Sequence, residues 1–185
     1  MASYWSPESA PRRLIMNRET RQWARDFMEE QGWLDWSSLK IGLDFGFISY
    51  QDVVDFAVDE LRCTHKDVEE LVVELASMSK SEHHAISTIL ETLAEHDVDQ
   101  RAHNQWRLAI IKAIMESEAS EKKVLDRVSQ VYADFGYPED MDEIIPYMPS
   151  EQAPLEALQA LIVELSEHLD RQLSVDDERD DGCQS

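Results

Sequence analysis

The groups in this 185-residue chain that could do chemistry are its six histidines, two cysteines and 39 carboxylates. His96, Asp99 and His103 stand at helical spacing, and His83 and His84 lie upstream. On one continuous helix the first three would share a face and could ligate a divalent metal. Asp97 and Asp99, however, read as the junction between two helices, which breaks that face. No second cluster supplies the remaining ligands at a recognisable spacing. Histidines on charged, solvated helix faces are the plainer reading, so no metal site is expected. Cys63 and His65 lie two apart at a helix junction and offer no nucleophile–base arrangement. Carboxylates abound, but a catalytic pair needs surroundings that drive its two pKa values apart, and abundance does not provide them. The tripeptide Asp-Phe-Gly occurs at Asp44–Gly46 and again at Asp134–Gly136. A magnesium-binding role as in protein kinases would also require a glycine-rich phosphate loop and a His-Arg-Asp loop, and the sequence has neither. The expectation is a protein that is not an enzyme and uses no cofactor.

Charge points elsewhere. The formal net charge is −22, and its distribution is uneven. Residues 1–40 carry six acids and six bases, so residues 41–185 carry the entire excess. From Val128 to Asp170 there are ten acids and no lysine or arginine. Such a field repels nucleic acid and steers basic partners inward. The group Arg12, Arg13, Arg18, Arg21 and Arg25 is interleaved with or followed by acids, and no direct nucleic-acid contact is expected. A solubilising role for the acidic surface is the plain alternative. Two cysteines make no disulfide framework, and a reduced cytoplasmic setting follows as the expectation. The opening MASYWSPESAPRRL lacks the charged-then-apolar pattern of a signal peptide, and no apolar run is long enough to span a membrane.

The elements that must position any site read as helices throughout. Apolar residues form 43% of the chain, while glycine and proline are scarce, as suits helices with short connections. The expected fold is all-α: a single-domain helical bundle of about eight or nine helices joined by short Gly/Pro turns. Its parts are an irregular lead-in (1–16), an acidic helical domain (17–173) and a disordered acidic tail (174–185). Asn17 caps a helix to about Gln31. Asp35 caps Trp36 to Phe45, with helix preferred over strand because Gly42 and Gly46 weaken a strand. Ser49 with Asp52, Thr64, and Ser79 with Glu82 start the next three helices. A long helix from about Asp99 to Ser117 carries the stripe Trp106, Ala109, Ile110, Ala113 and Ile114. A further helix buries Val124, Leu125, Val128, Val131, Tyr132 and Phe135 and ends at Gly136. Pro138 opens a short helix at its first position, and Pro146 and Pro149 stop it. The last helix runs from about Pro154 to Leu173. Gly32-Trp33, Gly46-Phe47 and Gly136-Tyr137 share a pattern in which glycine ends a helix and the aromatic packs back on its last turn.

Within that scaffold the candidate function is protein binding. Asp134, Glu139, Asp140, Asp142 and Glu143 stand beside Tyr137 and Tyr147. Carboxylates attract a basic partner, and the aromatics supply contact area. Asp52, Asp55 and Asp59 on the third helix form a second candidate surface. The competing reading makes Tyr137 and Tyr147 core residues and the acids a helix start that favours negative charge.

Tyr132-Ala133-Asp134-Phe135, Tyr137-Pro138-Glu139 and Pro146-Tyr147-Met148-Pro149 resemble the C-terminal signature of a bacterial domain-of-unknown-function family, DUF2247. Trp106-Arg107-Leu108 and the Trp36, Gly46, Ser49 segment are similar to it as well. Gly136 stands where that family's pattern has aspartate. The likeness covers about Thr20 to Pro149 and leaves the last helix outside. It implies an immunity protein of a bacterial competition system, which binds and neutralises a cognate basic toxin domain, a nuclease being one candidate. It carries over no catalytic residue. A monomer or weak homo-oligomer is expected. The alternative is an acidic helical adaptor or regulatory interaction module with no toxin partner.

Overall fold

A computed structural model describes residues 16–63, 69–94, 100–145 and 152–180, with side chains in the last segment described through Arg171. The described residues form helices and no strand, so the all-α expectation holds. In chain order they are α1 (Arg18–Glu30), α2 (Trp36–Phe45), α3 (Tyr50–Cys63), α4 (Glu70–Ser77), α5 (His83–Leu93), α6 (Gln100–Ser117), α7 (Glu121–Asp134), a 3-10 helix (Glu139–Ile144) and α8 (Pro154–Asp180). The chain divides into two compact units, residues 21–109 and residues 1–20 with 110–185.

In the 21–109 unit, α2 shows how local sequence fixes an element. The Asp35 carboxylate accepts from the Ser38 N–H at 2.7 Å, and the Ser38 hydroxyl accepts from the Asp35 N–H at 2.8 Å. This reciprocal capping box satisfies two donors that the first turn would otherwise leave open. At the other end Gly46 is left-handed (φ +73°), a conformation that side chains with a Cβ resist. It lets the Phe47 N–H reach back to the Gly42 carbonyl at 2.7 Å, closing a Schellman turn. Trp106 is fully buried in this unit and donates its indole N–H to the Ser38 carbonyl at 2.7 Å. Gly42 makes room for that indole: a Cβ there would lie 2.6 Å from Trp106 Cζ2.

α1 starts as expected, with the Asn17 carboxamide accepting from the Thr20 N–H at 2.7 Å. The residue expected to cap α4, Thr64, lies outside the described residues, and α4 begins at Glu70. Ser79 and Glu82 do not frame a helical turn. The Glu82 carboxylate accepts from the Ser79 N–H, and α5 begins only at His83. The stripe expected on α6 is part of something wider. Every residue from Gln105 to Ile111 is buried, including Gln105 and Arg107, so this stretch is packed all the way round.

In the 110–185 part, α7 buries Val124, Val128, Val131 and Tyr132, with Leu125 and Phe135 half-buried. α8 buries Leu158, Leu161, Leu165 and Leu169 at intervals of three and four. Its backbone continues helical past Leu173 to Asp180, through residues assigned from sequence to the tail. No glycine or proline intervenes before Gly182, so nothing local ends the helix sooner.

Candidate protein-interaction site

The segment 134–145 is built around the end of α7. The Tyr137 N–H donates to the Tyr132 carbonyl at 2.9 Å, and Gly136 is left-handed (φ +76°), the Schellman geometry of α2 again. Beyond it the chain departs from the earlier turn. Tyr137 also has a positive φ of 62°, the only such non-glycine among the described residues. A bulky side chain in that region carries a backbone strain of about 1–2 kcal/mol. The Tyr137 ring stays 63% exposed and meets the Tyr132 ring edge-on, with centroids 5.2 Å apart.

Pro138 follows in an extended conformation (φ −66°, ψ 128°) and precedes the helix instead of occupying its first position. The short helix expected here is present and is 3-10. Only six residues lie between the expected start and the residue before Pro146, too few for α-helical hydrogen bonding to become established. In a 3-10 helix side chains three apart stand in line. Met141 and Ile144 form the buried edge, Asp140 and Glu143 a fully exposed edge, and Glu139 and Asp142 the third. Burial of Met141, Ile144 and Ile145 fixes which acids face water.

The acids expected to act together therefore divide. Glu139, Asp140 and Glu143 are exposed. Asp142 is half-buried, and its Oδ1 accepts from the Tyr132 hydroxyl at 2.7 Å, pinning the 3-10 helix to α7. Asp134 is 9% exposed and points inward, so it leaves the proposed surface. Its place three residues after buried Val131, on the inner side of α7, was the signal available in the sequence. Tyr147 lies outside the described residues. Tyr137 is a surface side chain, against the alternative that made it core.

The second candidate surface, on α3, belongs to the 21–109 unit. Asp52 serves the fold: its carboxylate accepts from the Ser49 N–H at 2.7 Å and the Ser49 hydroxyl at 2.6 Å, and pairs with Arg25 at 3.3 Å. Asp55 is exposed and accepts from Gln51. Asp59 is exposed and paired with Arg62 at 2.8 Å; both groups are solvated, so the pair adds little stability but offsets local charge.

The histidines take separate places. His83 stacks on Tyr50 at 4.1 Å, and His103 stands edge-on to Phe45 at 5.9 Å. His96 and Asp99 lie outside the described residues, as do His65 and Cys183. Among the described residues no helix is long and apolar enough to cross a membrane.

No curated protein and no solved structure matches the chain. A family model does, over residues 24–173, a family described as an uncharacterized protein conserved in bacteria. That span extends beyond the motif likeness of Thr20 to Pro149 and takes in most of α8, which the likeness leaves outside. The match extends over most of the chain and over both candidate surfaces, and on it the protein belongs to the bacterial family DUF2247.

Proposed function

We propose that this protein is an immunity-type binder, which neutralises a cognate basic toxin domain in the cytoplasm by occupying it and performs no chemistry of its own. The observation that carries this reading is the exposed aromatic Tyr137 beside the exposed carboxylates of Glu139, Asp140 and Glu143, in a stretch without a lysine or arginine. An exposed aromatic within an acidic stretch combines contact area with attraction for a basic surface. The overall charge of −22 adds long-range steering, which an inhibitor needs when it must reach its toxin quickly. A basic nucleic-acid cleft is one surface that such a patch would complement. In the 21–109 unit, Asp55 and Asp59 add exposed acids of their own, with Asp59 partly offset by Arg62.

The test is growth rescue. Products of genes neighbouring this one in its native genome are expressed as candidate toxins, with and without this protein. Rescue from one of them is the expected result, and rescue from none removes the immunity reading. Co-purification from the native host separates the alternatives further: one dominant basic partner fits an immunity protein, and several weak partners fit an adaptor.

A further inference from the structure

We draw no further inference here: the strongest candidate, the side-chain cluster where α3 and α5 begin and His83 stacks on Tyr50 with ring centroids 4.1 Å apart, rests on helix N-termini alone, and nothing among the described residues shows what would bind there.

Discussion

The ends of α2 and α7 are the same turn put to different uses. Each closes on a left-handed glycine followed by an aromatic whose N–H reaches back to the carbonyl five residues earlier. At α2 the aromatic is Phe47, buried against Trp106 with ring centroids 5.4 Å apart. At α7 it is Tyr137, turned out to solvent at the cost of an unfavourable backbone conformation. A motif that ordinarily seals a helix end can present its aromatic when the next residue also takes a positive φ. The hydrogen-bonding pattern alone does not say which use is made of it.

The largest test of this contrast is truncation of the two aromatics. Phe47→Ala should cost about 3–5 kcal/mol in urea unfolding, as a buried aromatic truncated to a cavity. Tyr137→Ala should cost about 1 kcal/mol, the edge contact with Tyr132. Similar losses at both positions would erase the contrast. Gly42→Ala comes next, because Gly42 both accepts from Phe47 and underlies Trp106. A net loss of about 1–2 kcal/mol is expected, since overpacking against the indole outweighs the roughly 1 kcal/mol that alanine gains in a helix. Urea unfolding with near-ultraviolet circular dichroism would register both the loss and the displaced tryptophan. At the α7 end Tyr132→Phe removes the hydrogen bond to Asp142 and should cost about 1–2 kcal/mol. A neutral result there would mean that Tyr132 does not hold the segment on which Tyr137 sits. The smallest expected difference is between Gly46→Ala and Gly136→Ala. Each should cost about 1 kcal/mol, because a Cβ is strained at positive φ while neither site is crowded. Unequal costs would show that the two turns differ in backbone as well as in side chain.

The sequence is most legible where the signal is local. Asp35, Ser38 and Gly46 bound α2 by short-range hydrogen bonds, and its span matches the expected Trp36 to Phe45. The 3-10 helix reads as α in sequence because its acids and its flanking prolines suit either form, and only the placement of Met141 and Ile144 in the core separates them. The full burial from Gln105 to Ile111 is hidden by Gln105 and Arg107, polar residues that break the apolar pattern in sequence while being buried in space. The candidate site is legible in composition and less so in geometry. Tyr137, Glu139, Asp140 and Glu143 are exposed as a binding surface requires, whereas Asp134 is inward and Asp142 and Asp52 are occupied with the fold. Nothing in the sequence marks a tyrosine for a positive φ, because that conformation is imposed by the turn it shares with Gly136 and Pro138.

The three-residue repeat of the 3-10 helix makes this stretch tolerant of substitution and intolerant of insertion. Asp140 and Glu143 stand on a different edge from Met141 and Ile144, so substitutions on the exposed edge do not change what the inward edge presents to the core. One added residue between Pro138 and Met141 would rotate the remainder of the helix by about a third of a turn. Glu143 would then occupy the inward edge, and Met141 the edge that Glu139 and Asp142 hold. Length variation among relatives should therefore be suppressed between Pro138 and Ile144 even where the identity of the exposed residues drifts freely.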